Sequence, residues 1–385
     1  MNTTRLLASA LAAAVVAIAP AAQAQLAISV NDNKVMLVNG TTRVVATAPA
    51  DTVTLIDLNA RPATVVAEIA VPGSVVGPPL SVAITPDEGL ALVTAAQKVD
   101  PADPTKQTAD NRLSVIDLKA SPPAVIATLT TGKSPAGLSI NRQGTLALVA
   151  NREEGTVSVF TIQGKTVTSV GKVTVADEKS GTSHAAFTPD GRMALVTRDG
   201  DHKISVLSID GTKVEYTKRD LNAGLRPYGI DVSSKGDFAA VANIGIGQGD
   251  TDTVSLIDVR ARPPRVVDTI SVGQTPEGVK VSPDGSIIAA VVMNGSNKAK
   301  ESPFYNDGGR LVLLRANGMK LSKVAEAPIG HWSQGAAFSS DGKTILVGNM
   351  VEHDIQVFSW DGNGLKEVAR LKVNGGPAAV RTAEK

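Results

Sequence analysis

Short apolar runs of strand length, each opened by a polar turn, recur along this chain at nearly even spacing. The clear copies are TPDEGLALV (85–93), NRQGTLALV (141–149), TPDGRMALV (188–196), SSKGDFAAV (233–241), SPDGSIIAAV (282–291) and SSDGKTILV (339–347). Their glycines, Gly89, Gly144, Gly191, Gly236, Gly285 and Gly342, are separated by 55, 47, 45, 49 and 57 residues. A degenerate copy, NDNKVMLV (31–38), carries Asn33 in the glycine slot, 56 residues before Gly89. Within one unit, 135–175, the pattern is complete. Gly137 to Ile140 forms a short strand and Asn141 to Gly144 a tight turn. Leu146 to Ala150 is the second strand, and Asn151 to Gly155 a loop. In the third strand, Val157 and Val159 alternate with polar residues up to Ile162, and a turn at Gln163-Gly164 leads to a last strand ending at Val175. A period of two over such short runs predicts strands throughout.

Four antiparallel strands cannot bury both faces alone, so units repeating near fifty residues predict blades packed around an axis. The fold expected is all-β, a seven-bladed propeller with units at 27–78, 79–134, 135–181, 182–226, 227–275, 276–332 and 333–376. The segment GPAAVRTA (376–383) matches only the opening strand of a unit, as in SPAGLSI and TPEGVKV. It is expected to close the ring as the inner strand of the blade begun by KVMLV (34–38), with Leu26 to Val30 as its rival for that slot.

The first residues read differently. Arg5 precedes an apolar stretch from Leu6 to Ile18, and Ala22-Gln23-Ala24 has the form of a cleavage site. Residues 1–24 are therefore expected to be a secretory signal, with one propeller domain over 25–385 and a periplasmic or secreted location. The chain has no cysteine, which excludes disulfides, thiolate metal sites and c-type haem attachment. Its 38 basic and 37 acidic residues are spread evenly, so no basic patch points to nucleic acid, and nothing after the signal would span a membrane. A monomer is expected, with no cofactor and no metal. Asp199-Gly-Asp201 and Asp250-Thr-Asp252 alternate carboxylates as calcium loops do, but supply too few spaced ligands.

The segments VANREEGTVSVF (149–160) and VANIGIGQGDTDTVSLID (241–258), with the SPDG-type turns, resemble the YVTN repeat of lactonase-like seven-bladed propellers. These include 6-phosphogluconolactonase and many exported proteins of unknown role. The resemblance spans essentially the whole chain after the signal and implies fold more firmly than activity.

Alternate connections of an antiparallel blade lie at opposite ends of the ring. The SPDG turns define one end, here the turn face. The loops after each second strand, and the starts of the inner strands, define the other, the loop face. By that rule His184 (GTSHAAF), His331 (GHWSQGAAF), His202 (RDGDHK) and His353 (NMVEHD) all fall on the loop face, with the expanded loops Lys98 to Asn111, Asn243 to Asp252 and Asn294 to Gly309. Polar residues collect in loops in any protein. The alternative is a functional face with a pocket at the channel mouth. Aligned on Pro-x-Gly, the rim positions are Leu80, Ala136, Ser183, Tyr228, Glu277, Gln334 and Ala378, with His184 in a glycine slot and Arg226 in the next opening, LRPYG.

Two functions compete. The first is an exported binding protein that takes a small anionic molecule or a protein partner on the loop face, using Tyr228, Glu277, His331, Trp332 and Gln334. The second, implied by the resemblance, is a lactonase-like hydrolase or lactonising enzyme, with His184 as a proton-transfer group and Arg226 as a carboxylate clamp. Here the chain departs from the family: Ile244, not glutamate, follows Asn243. A quinone-dependent dehydrogenase would need pocket aromatics and a metal site that the sequence lacks.

Overall fold

The computed structural model describes residues 25–385. The expected signal at 1–24 lies outside them. Seven four-stranded antiparallel sheets form the blades of a propeller, and one extra two-stranded hairpin, inserted after the second strand of blade 1, meets Lys300 and Glu301 of blade 6 with its tip. Blade 3 shows the standard order: Pro135–Ile140 inside, then Leu146–Asn151 and Thr156–Gln163, with Thr166–Thr174 outermost. Burial follows position. The second strand Leu146–Asn151 is buried at every residue, whereas the outer strand Thr64–Ala70 of blade 1 is exposed or half-buried throughout.

The core is a set of seams between neighbouring blades rather than one central mass. Leu146, Leu148, Val157 and Val159 of blade 3 pack against Ala185, Phe187, Val196 and Leu207 of blade 4. Apolar faces buried on both sides of every blade explain the continuous runs ALV and AAV. Around the channel the inner strands approach too closely for side chains at the glycines of their Pro-x-Gly openings. A Cβ on Gly229 would meet the Glu277 carbonyl oxygen at 2.7 Å, and one on Gly335 the Pro79 carbonyl oxygen at 2.9 Å.

The ring closes as expected through its last strand, Gly376–Thr382, which is the inner strand of blade 1. The rest of that blade departs from the expectation. Leu26–Asp32 is its second strand, paired with Gly376–Thr382 on one side and Thr52–Asp57 on the other. The two segments expected to be rivals are thus neighbours. Val35–Val38 does not begin the blade; it pairs with Thr41–Val44 in the separate hairpin. The physical reason lies in Asn31. Its amide donates to the hydroxyls of Thr52 and Thr54, just as Asn151 donates to Thr156 and Ser158 at the end of blade 3's second strand. LAISVND is therefore the counterpart of LALVAN, one strand earlier than the apolar pattern of NDNKVMLV suggests. The segment from Lys98 to Asn111 is not an open loop either, because Leu90–Val99 and Gln107–Asp117 extend their ladder to the pair Val99 and Gln107.

Candidate polar site at the loop-face mouth

Five successive blades bring polar side chains to the loop-face end of the channel. Asp199, in the loop after blade 4's second strand, is their hub. Its carboxylate accepts from the Arg152 guanidinium at 2.5 and 3.0 Å, from Arg226 at 2.8 Å and from the Ser183 hydroxyl at 2.6 Å. Burial pushes the Asp199 carboxyl up, but the two guanidiniums and the hydroxyl outweigh it and hold the group below the usual carboxylate range. Arg226 precedes blade 5's inner strand Pro227–Val232 in a left-handed conformation with φ of 57°. This turns the side chain back across the blade opening towards Asp199.

Tyr228 lies under Arg152, whose guanidinium carbon is 5.5 Å from the ring centre. Burial raises the Tyr228 hydroxyl's pKa, so it stays protonated across the ordinary pH range. Glu277 comes from blade 6's inner strand Pro276–Val281. Burial among channel walls raises it to about 7, and the nearby Gln334 amide and Arg226 and Arg152 guanidiniums do not offset that effect. Gln334, on blade 7's inner strand, is fully buried, and neither its amide oxygen nor its nitrogen has a partner within 3.5 Å, although the amide lies near enough to the Glu277 carboxyl to favour its ionised form. A buried amide left without partners costs about 1–3 kcal/mol unless something else satisfies it.

The remaining rim positions are apolar: Leu80 and Ala136 are buried, and Ala378 packs with Val35, Met350, Val75 and Trp332. One side of the mouth is thus charged and the other greasy. Trp332 belongs to the greasy side. His331 stands apart, with one ring nitrogen 2.6 Å from Glu352 and the other 3.0 Å from Asp307. Burial works against its protonation, but the two carboxylates outweigh it and raise the pKa.

His184 and Arg226 are not brought together. The His184 ring is buried, its Nδ1 is unpartnered, and the charges that act on it are Arg381, Glu384 and Lys280. Burial, then Arg381, drives its pKa well below 6.5, so the imidazole is neutral at physiological pH. Its place in a glycine slot has a packing cause: it fills the space that Gly137 of the preceding blade leaves, where a Cβ would stand 2.5 Å from Nδ1. Arg152 was not among the sequence's site candidates, and Asp199 was weighed only as a calcium ligand. They could have been found there, since each directly follows the end of a second strand, in the loops assigned to this face.

Among the described residues, no group of three or more His, Asp and Glu side chains is gathered to hold a metal. Asp199 and Asp201 are instead paired with arginines. No helix among them is long and apolar enough to cross a membrane.

These features define a seven-bladed propeller with an amphipathic channel mouth. The chain matches no protein-family model and no curated protein. Among solved structures it is similar to a putative 6-phosphogluconolactonase from Bacteroides uniformis, at 20% identity and TM-score 0.69 over 94% of this chain and 100% of that one. It is also similar to the periplasmic gluconolactonase of Pseudomonas aeruginosa, at 17% identity and TM-score 0.66 over 93% of this chain and 99% of that one. A functionally unknown protein from Desulfotomaculum acetoxidans matches comparably, at 15% identity and TM-score 0.67 over 93% and 99% of the two chains. Identities this low establish the shared propeller fold.

Proposed function

We propose that this protein binds a small polyhydroxy acid, or the lactone of one, at the loop-face mouth of its channel. Gln334 carries this reading. A fully buried amide with both polar atoms unpartnered, beside a carboxyl that titrates near 7, supplies a donor and an acceptor for a hydroxylated ligand. The local charge favours an acid. With Glu277 and Asp252 both protonated, Arg152 and Arg226 stand against Asp199, leaving one excess positive charge. Leu80, Ala136 and Trp332, on blades 2, 3 and 7, are apolar neighbours for the ligand's carbon atoms. The signal-like segment at 1–24 supports placing this activity in the periplasm or outside the cell.

Lactone hydrolysis is a second reading, favoured by Glu277 and by the fold shared with lactonases. A carboxyl with a pKa of about 7 is available in both forms at neutral pH. As carboxylate it would take a proton from water while the water oxygen adds to the lactone carbonyl carbon. The ring C–O bond then breaks, the proton passes to the departing oxygen, and a hydroxy acid results. Arg226, 35% exposed at its side chain, would meet the new carboxylate. His184 has no part in this scheme. The test is hydrolysis of D-glucono-1,5-lactone and 6-phosphogluconolactone followed by pH-stat against the spontaneous rate. Turnover that Glu277→Gln reduces by about 100-fold or more supports hydrolysis. Binding without turnover leaves the binding role alone.

A further inference from the structure

At the opposite end of the channel the turn face holds a cavity of about 180 Å³. It is unconnected with the loop-face residues and has its own logic. Its apolar wall is formed by Ile140, Phe187, Val232, Val281 and Phe338, the last residues of five successive inner strands. One position earlier on three inner strands stand Asp231, Lys280 and Arg381, where the other blades carry Ala83, Ser139, Ala186 and Ala337. Lys280 Nζ lies 3.1 Å from Asp231 and 3.1 Å from Glu384 Oε1, and that same oxygen accepts from Arg381. Arg381 is 2% exposed, donates to the Leu138 carbonyl at 2.9 Å, and leaves its Nε without a partner.

Glu384 therefore occupies a carboxylate seat made by the largely buried Lys280 and the buried Arg381, at the floor of a chamber with one apolar wall. Its own position is loose by comparison. Its side chain is 38% exposed and it lies just past the last strand, so it can swing into solvent without breaking a ladder. Without it, Lys280 and Arg381 face Asp231 alone, and one positive charge is uncompensated in a buried setting. An apolar cavity of roughly 150 Å³ accepts a benzene ring; this chamber, whose lining also includes Arg142, Ser234, Ser282 and Lys385, has the volume for a six-membered ring with a polar substituent.

We propose that the turn-face mouth is a second binding site, for a small monocarboxylic acid with a ring-sized apolar body, whose carboxylate replaces Glu384 between Lys280 and Arg381. The strength of the seat is visible in Glu384 itself: burial opposes its ionisation, but Lys280 and Arg381 hold its carboxyl down to about 2. In the intact chain Glu384 competes with the ligand, so binding is weak, and it strengthens when that side chain is removed.

The test is calorimetric titration of the full chain with benzoate, and with benzyl alcohol as its neutral counterpart. Glu384→Ala is expected to bind benzoate at least about tenfold more tightly than the parent, and benzyl alcohol much more weakly than benzoate. Adding Ser340→Trp to Glu384→Ala is expected to abolish binding. Ser340 is an exposed rim residue that contacts Gln25 through its backbone N–H, so a ring there covers the chamber without removing that bond. Glu277→Gln, at the other mouth, is expected to leave benzoate affinity unchanged. Equal affinity with and without Glu384, equal binding of benzyl alcohol, survival of binding in the Ser340→Trp double variant, or sensitivity to Glu277→Gln would each overturn the proposal. Should Glu384→Ala fail to fold, the parent chain decides: benzoate is expected to raise its melting temperature and Ser340→Trp to cancel the rise, and no rise refutes the site.

Discussion

Glu277 and His184 exchange the roles that their residue types suggest. Histidine is ordinarily the side chain that titrates near neutrality, at about 6.5, and glutamate near 4.3. Here burial and Arg381 keep His184 neutral, while burial lifts Glu277 to about 7. At this mouth a pH dependence near neutrality therefore belongs to carboxyls, Glu277 and also Asp252 beside Arg226, which burial likewise lifts to about 7. The folded state holds the Glu277 proton more tightly than the unfolded chain does, so its contribution to stability is fully present below about pH 4.5 and is lost as pH rises through 7. Glu277→Gln removes that loss. The variant is expected to match the parent at pH 4.5 and to exceed it at pH 8 by about 1–3 kcal/mol in urea unfolding. Equal stabilities at pH 8 would place the Glu277 pKa in the ordinary range. Neither environment is legible in the sequence, because pKa values depend on which blades face each other across the channel. The rim pattern did identify Glu277 and Gln334, since Pro-x-Gly fixes where an inner strand begins.

In blades 1, 3, 5 and 7 the asparagine that ends the second strand acts as a staple to the third. Asn151 accepts from the Gly132 N–H at 3.1 Å and donates to Thr156 and Ser158 at 2.8 and 2.9 Å, tying the preceding loop to the third strand. Asn349 does the same with the Gly330 N–H, Asp354 and Gln356. Asn151→Ala would remove three buried hydrogen bonds, leaving the Gly132 N–H only its longer bond to Ser158 at 3.2 Å, and is expected to cost about 1–3 kcal/mol in chemical unfolding. A loss below about 0.5 kcal/mol would mean that water replaces the side chain. This staple also explains how far the fold could be read. Six turns in register defined the blades. The first blade was misregistered because its turn is missing and only Asn31, with Thr52 and Thr54, marks the strand end. Closure by Gly376–Thr382 follows from its ladder to Leu26–Asp32. Removing 376–385 strips blade 1 of its inner strand and also Val380 from the seam with blade 7. The truncated chain is expected to melt many degrees lower; unchanged melting would contradict a closed ring.

Across the whole molecule the two ends of the channel divide into different chemistries. The loop face gathers Arg152, Asp199, Arg226, Tyr228, Glu277 and Gln334 from blades 3 to 7 against an apolar wall. The turn face gathers Asp231, Lys280 and Arg381 beneath a chamber of strand ends. A reading by connection type alone foresaw one functional face, because it ranked histidines and long loops above charges inside short inner strands. GIDV, GVKV and AVRT carry their charge at one shared register position, and that was the available signal. The propeller is a rigid frame, so ligand affinity at either mouth depends on side chains already in place rather than on closure. Calorimetric titration with gluconate at pH 6 and pH 8 tests most directly whether the loop-face mouth is a ligand site. With Glu277 and Asp252 protonated, the mouth carries excess positive charge. Saturable binding is predicted at pH 6, weakened about tenfold at pH 8, weakened less in Glu277→Gln, where Asp252 still titrates, and lost in Gln334→Leu. No gluconate binding at either pH, or binding indifferent to Gln334→Leu, would contradict a ligand site at this mouth.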